Sequence, residues 1–159
     1  GVVIGCLTED GDIDIEACRR LVDAAGDINI TFHRAFDRCR CPEEALEQII
    51  ELGCNRILTS GQQSTAVEGI PLLSRLVKQA DGRIIIMPGC GVNASNAAHI
   101  LHATAATEIH ASASTMVPSL MKFSRSDVYM GAKGADEDHR KVTDAQTVAD
   151  ILKAINSIA

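Results

Sequence analysis

The stretch INITFHRAFD, residues Ile28–Asp37, decides the fold of this chain. From Ile28 to His33 apolar and polar residues alternate, and the run ends in the polar residues His33, Arg34 and Asp37. Side chains of a strand alternate between its two faces, so this pattern predicts one apolar face for helices and one polar face.

Other apolar runs end in polar or glycine-rich residues in the same way, namely Val2–Thr8 (VVIGCLT), Arg56–Gly61 (RILTSG), Ile84–Gly91 (IIIMPGCG) and Glu108–Ser114 (EIHASAS). Helix-like spacing of apolar residues follows each run. Repeated strand–helix units predict a parallel α/β fold whose chemistry lies at the carboxyl ends of its strands. We expect one domain over residues 1–159, since this length suits a single core.

The polar strand faces leave two architectures open. An open sheet could turn one face to water, but an open parallel sheet normally carries helices on both faces. We therefore favour a (β/α) barrel of the TIM type, which needs eight strand–helix units. The chain holds five such units, which correspond to the last five of eight, and about three N-terminal units are expected to precede it.

Composition narrows the class of partner. The net charge of −6, without a Lys/Arg cluster, argues against nucleic acid, and no apolar run approaches the ~20 residues of a membrane span. The chain has no Trp, one Tyr and three Phe, too few for a base-stacking surface. The six cysteines are interpreted as free thiols of a reducing, cytoplasmic compartment.

His33, Arg34 and Asp37 are candidate catalytic residues. A histidine with an orienting carboxylate can perform acid–base chemistry, and an arginine can hold a carboxylate or phosphate through two parallel hydrogen bonds. The alternative is a hydrogen-bond network that only fixes a loop.

Two further strand ends are candidate ligand-binding segments. Thr59, Ser60 and Gly61 could bind an oxyanion or form a tight turn. Gly89 and Gly91 could bring backbone amides close to a phosphate, or could only serve a turn that needs positive φ.

His110 lies between Glu108 and Ser112 on the predicted polar face. With His33 it could hold a metal or transfer protons, so it is a fourth candidate catalytic residue, and Ser112 a candidate ligand contact. A histidine satisfied within the core is the alternative.

Cys39 and Cys41 are candidate metal ligands, because paired thiolates are soft donors suited to Cu(I). Alternatively, Cys41 only occupies the helix-cap position ahead of Pro42. Cys90 is interpreted as a packing residue. The long segment 115–142 predicts a lid over the site or, for Lys133–Arg140, disorder.

The segments GVVIGCLTEDGDID, TFHRAFD, LTSG, MPGCG and EIHASAS, in this order and spacing, resemble the CutC family of copper-homeostasis proteins. MKF (Met121–Phe123) and KVTD (Lys141–Asp144) are similar as well. The resemblance implies an oligomeric TIM barrel, cytoplasmic in bacteria and cytoplasmic to nuclear in animals, that handles copper without a firmly assigned reaction. One departure is Gly89-Cys90-Gly91, where the family usually has three glycines.

Three functions follow from these observations. The first is copper homeostasis, with Cu(I) as the expected ligand. The alternative is an enzyme that acts on a small phosphorylated or carboxylated metabolite through His33 and His110. The third is a non-catalytic scaffold that assembles into homo-oligomers.

Overall fold

The computed structural model describes residues 1–123, 125, 127–132, 134, 136 and 138–156. Four parallel strands form its main sheet: β1 (Val2–Ile4), β2 (Ile30–Phe32), β3 (Arg56–Thr59) and β4 (Ile85–Pro88). The connecting helices are α1 (Ile15–Ala25), α2 (Pro42–Glu51) and α3 (Ile70–Ala80), and α4 (Ala97–Thr104) follows β4. This arrangement confirms the predicted α/β class.

The four strands lie in the order β1-β2-β3-β4, the same order as in the chain. Ile4, Phe32, Ile57 and Ile86 are register partners across the sheet, and all four are buried. They share one apolar core with the buried faces of all four helices, whereas the intervening residues are partly buried in β2, β3 and β4 and exposed at Val3 of β1. All connecting helices therefore cover the same face of the sheet, and within the described part of the chain the sheet is open.

Helix starts follow the local sequence. The Asp14 carboxylate accepts a hydrogen bond from the Ala17 N–H at 2.9 Å and caps α1. Pro42 begins α2, where its missing N–H costs nothing, and Glu43 with Glu44 follows in the electropositive first turn.

The predicted parallel strand at Glu108–Ser114 is wrong. Residues 108–113 have no strand structure, although the His110 N–H donates to the Pro88 carbonyl at 2.8 Å. Ala113 has a left-handed φ of 44°, and at Ser114 the chain enters an antiparallel hairpin instead. Residues 108–113 therefore add no regular fifth strand to the parallel sheet, and the backbone turns at Ala113 into the hairpin.

The hairpin also corrects the interpretation of segment 115–142 as a loop. Its strands are β5 (Ser114–Pro118) and β6 (His139–Thr143), and α5 (Ala145–Asn156) follows. Of the stretch Lys133–Arg140, for which disorder is an alternative, Lys133, Ala135 and Glu137 lie outside the described residues.

Among the helices that the structure describes, none combines the length and the hydropathy that crossing a bilayer requires.

Candidate functional site

His33 directly follows β2 at the carboxyl edge of the sheet. Its backbone N–H donates to the Ile4 carbonyl at 2.8 Å, and its Nδ1 accepts a hydrogen bond from the Ala35 N–H at 3.0 Å. Because Nδ1 is an acceptor, the neutral ring carries its proton on Nε2. The imidazole rests on Gly5 of the neighbouring strand, where an added methyl group would lie 2.5 Å from Nδ1.

Asp37 lies in the short 3₁₀ helix Arg34–Arg38 and is nearly buried, with a side chain 7% exposed. Its Oδ1 accepts hydrogen bonds from the Thr59 hydroxyl at 2.5 Å and from the Gln62 N–H at 3.1 Å. The Ser60 N–H lies 3.0 Å from Oδ1 and 3.1 Å from Oδ2. The carboxylate therefore joins the turn after β2 to the loop after β3.

The pKa of Asp37 lies below its usual value. Burial alone would raise this pKa, but hydrogen bonds from Thr59, Arg34, Ser60 and Gln62 outweigh the burial. Asp37 is therefore an ionised carboxylate and not a proton donor at neutral pH.

The Arg34 guanidinium is positioned by hydrogen bonds from its Nε and Nη2 atoms. Its Nε donates to Asp37 Oδ2 at 2.7 Å and its Nη2 to the Ser60 hydroxyl at 2.9 Å. The guanidinium also forms a hydrogen bond with the Cys90 side chain, and the Arg34 side chain is 43% exposed. The hydrogen bond to Asp37 and the attraction of its charge raise the pKa of Arg34, so the guanidinium stays charged.

The predicted group of His33, Arg34 and Asp37 thus divides into two parts. Asp37 orients Arg34, whereas the Asp37 oxygens accept from Arg34 and from the loop after β3 and not from His33. The geometry of Asp37 corresponds to the alternative of a loop-fixing network. Arg34 and His33 remain the two groups that can meet a ligand.

Thr59 and Ser60 are fully buried and belong to the same network. The Thr59 hydroxyl accepts from the Gly61 N–H at 2.9 Å while donating to Asp37, and the Ser60 hydroxyl donates to the Gln63 carbonyl at 2.6 Å. Both hydroxyls therefore have their hydrogen-bond partners within the protein, and they position Asp37 and Arg34.

Gly61 begins a loop that closes on itself at Gly69. A methyl group on Gly61 would lie 2.5 Å from the Gly69 carbonyl oxygen, and one on Gly69 would lie 2.7 Å from the Ser60 carbonyl carbon. The two glycines allow the backbones at the two ends of the loop to touch. We call residues 61–69 the glycine-necked loop.

Gly89, Cys90 and Gly91 bring the end of β4 to this loop. The Gly89 N–H donates to the Thr59 carbonyl at 2.9 Å, and the Cys90 carbonyl accepts from the Ala66 N–H at 3.0 Å. Cys90 Sγ lies 3.1 Å from the Ser64 carbonyl oxygen. Cys90 and Gly91 both have left-handed φ angles, 83° and 72°.

Cys90, interpreted from the sequence as a packing residue, is only partly buried and lies beside Arg34. The hydrogen bond with Asp37 is the main cause that raises the pKa of Arg34, and a hydrogen bond with the Cys90 side chain adds a smaller increase. The Cys90 thiol therefore lies beside the guanidinium. The signal in the sequence is the cysteine between two glycines, at a strand end where three glycines would be expected.

His110 lies beyond β4, with an exposed side chain packed against Gly89. It shares the carboxyl edge with His33, but β3 and β4 separate their strand positions. Glu108, its neighbour on the predicted polar face, is paired with Arg56 through two hydrogen bonds of 2.8 Å. Ser112 is exposed, and its hydroxyl lies 3.4 Å from that of Ser114.

Cys39 and Cys41 line one cavity of about 10 Å³. Cys39 is buried, and burial raises its pKa to about 11, although a hydrogen bond from the Gln62 amide at 3.6 Å opposes this shift. Cys41 occupies the predicted cap position of α2. Among the residues that the structure describes, no group of three or more His, Cys, Asp or Glu could hold a metal ion.

Fold and site together define an α/β protein with a candidate ligand site at the carboxyl ends of its parallel strands. The chain belongs to the CutC family, whose family model matches residues 1–115. This match confirms the resemblance found in the sequence.

Curated relatives agree with this assignment. A CutC family protein of Parabacteroides distasonis is 56% identical over 149 residues, 93% of this chain and 61% of the relative. One from Bacteroides thetaiotaomicron is 54% identical over 158 residues, 99% of this chain and 64% of the relative. The chain therefore spans about three-fifths of the length of these curated relatives.

Among solved structures, a Streptococcus agalactiae protein provisionally named the copper homeostasis protein CutC is similar to this chain. The TM-score is 0.65 at 35% sequence identity, over 68% of this chain and 53% of that one.

Proposed function

We propose that the parallel sheet is an arc of a (β/α) barrel and that its carboxyl edge binds a small anion through Arg34. The sequential strand order with helices on one face supports the barrel. One observation carries the anion site: Asp37 and Ser60 hold the guanidinium through Nε and Nη2, while the side chain is still 43% exposed and can present its Nη1–Nη2 edge to a ligand. This edge can donate two parallel hydrogen bonds to a carboxylate or phosphate.

His33 supplies the chemistry in this proposal. It adjoins Arg34 in the chain, and its Nε2–H can donate a hydrogen bond to an oxygen of a bound carboxylated or phosphorylated metabolite. His110 lies further along the same edge and would contact the distal part of a longer ligand. The proposed activity is thus recognition of a small anionic metabolite, on which His33 stabilises negative charge through its Nε2–H.

The link to copper rests on relatives. The similar Streptococcus agalactiae protein carries copper homeostasis in its name, and we extend this role to the present chain as a proposal. A homo-oligomeric state and a cytoplasmic or nuclear location remain predictions from the family resemblance.

Replacing Arg34 tests the anion site. We expect Arg34→Gln to weaken binding of acetate or inorganic phosphate about tenfold or more, because two charge-assisted hydrogen bonds are lost. Titrations followed by two-dimensional NMR measure this affinity. Arg38→Gln is the matched control, since Arg38 is exposed and lies in the same 3₁₀ helix. Equal affinities of Arg34→Gln and the wild type would refute the proposal.

We propose that Cys39 and Cys41 do not bind Cu(I), although the sequence predicts this binding. Their shared cavity favours it, but a metal ligand must be a thiolate, and the raised pKa of Cys39 keeps that side chain protonated. We therefore expect the double variant Cys39→Ser/Cys41→Ser to keep Cu(I) affinity within about threefold of the wild type. Titration of reduced protein against a competing Cu(I) chelator measures it, and a hundredfold loss would show that these thiols bind copper.

A further inference from the structure

We propose that Cys90 completes the Arg34 site, with its thiol facing the bound anion, and that the ligand is a carboxylate monoanion. This inference rests on the proposed function, because it names the ligand class and one further contact of the same site.

A continuous set of contacts joins Cys90 to Arg34. The guanidinium donates to the Ser60 hydroxyl at 2.9 Å, which donates to the Gln63 carbonyl at 2.6 Å. The next residue, Ser64, offers its carbonyl to Cys90 Sγ at 3.1 Å. Together with the hydrogen bond between the guanidinium and the Cys90 side chain, these contacts place the thiol beside Arg34 at the carboxyl edge of the sheet.

The backbone of Cys90 is in an unfavourable conformation for a residue with a side chain. Its φ of 83° costs about 1 kcal/mol or more for a residue other than glycine. The Ala66 and Ser64 contacts hold Cys90 in this conformation and fix the direction of its side chain. The thiol is therefore a preorganised part of the site.

The charges of the site select the ligand class. Arg34 carries one positive charge, and ionised Asp37, at 2.7 Å from its Nε, balances that charge. The site offers two directed donors but almost no net positive charge, so it favours a monoanion over a phosphate dianion. A carboxylate matches both the donor geometry and the charge.

Alkylation of Cys90 in the intact chain tests whether its thiol faces an anion bound by Arg34. Iodoacetate and iodoacetamide react with a thiolate in the same way: a C–S bond forms, the C–I bond breaks and iodide leaves, while the thiol proton goes to solvent. Only iodoacetate carries a carboxylate. Rates at each cysteine are measured by peptide mass spectrometry, and the partly buried Cys6 serves as the internal control.

We expect the iodoacetate-to-iodoacetamide rate ratio to be about fivefold higher at Cys90 than at Cys6, because Arg34 holds the carboxylate beside the thiol. The excess should vanish in Arg34→Gln and shrink in Arg34→Lys, which keeps the charge but not the two-donor edge. In the wild type, acetate should slow labelling of Cys90 more than phosphate at the same concentration.

Two results would overturn the inference. Equal rate ratios at Cys90 and Cys6 would show that the thiol does not face the anion, even where the Arg34 titrations still demonstrate anion binding. Stronger protection by phosphate than by acetate would exclude the monoanion as the preferred ligand.

Discussion

Gly69→Ala should lower the free energy of unfolding by roughly 3 kcal/mol or more, because the new methyl group has no room. It would lie within van der Waals overlap of the Ser60 carbonyl group and 2.9 Å from Gly61 Cα. All of these are backbone atoms, which cannot rotate away as a side chain can. Urea denaturation followed by far-UV circular dichroism measures the loss.

Gly131→Ala is the control for this variant, since a methyl group at Gly131 meets no atom of the described residues within 4 Å. Its stability should stay within about 0.5 kcal/mol of the wild type. A Gly69→Ala protein as stable as Gly131→Ala would contradict the close approach of the two loop ends.

Asp37→Ala should cost about 3 kcal/mol of stability, because it leaves several buried donors of the network without an acceptor. These donors are the Thr59 hydroxyl and the N–H groups of Ser60 and Gln62. The same change frees Arg34, so acetate affinity should fall together with stability. Chemical denaturation and NMR titration measure the two effects.

Acid titration gives an independent measure of the same carboxylate. The pKa of Asp37 is lowered in the folded chain, so its stabilisation is complete above about pH 4, the unfolded value, and is lost as pH falls further. Asp37→Ala should remove that part of the acid sensitivity.

The matched control is Asp12→Ala, which breaks an exposed 2.6 Å ion pair with Arg40. It should change stability by less than about 1 kcal/mol. Equal losses of unfolding free energy in Asp37→Ala and Asp12→Ala would show that the buried network stabilises the fold no more than a surface ion pair does.

The fold was predictable where local pattern and tertiary packing agree. Alternation in Ile28–His33 indicates the face of β2 that packs on helices, and Ile30 and Phe32 are indeed buried. The alternation in Glu108–Ser114 is similar, yet the chain turns away at Ala113. Ala113 has a left-handed φ of 44° where the chain turns away. An alanine in the sequence gives no sign of such a conformation.

The site was predictable in its location but not in its bonding. Parallel strands bring their carboxyl ends to one edge, and there Arg34 contacts Ser60 of the next strand end. The partner of Asp37 could not be predicted, because spacing along the chain favours His33 whereas the tertiary fold supplies Thr59 and Ser60.

Gly5 lies beneath the His33 ring, where even one methyl group would overlap the imidazole. Gly5 makes room for the imidazole because it has no side chain, so a list of side-chain contacts does not show its role. A larger residue at position 5 would require the imidazole to move, so we expect Gly5 and the orientation of His33 to vary together among relatives.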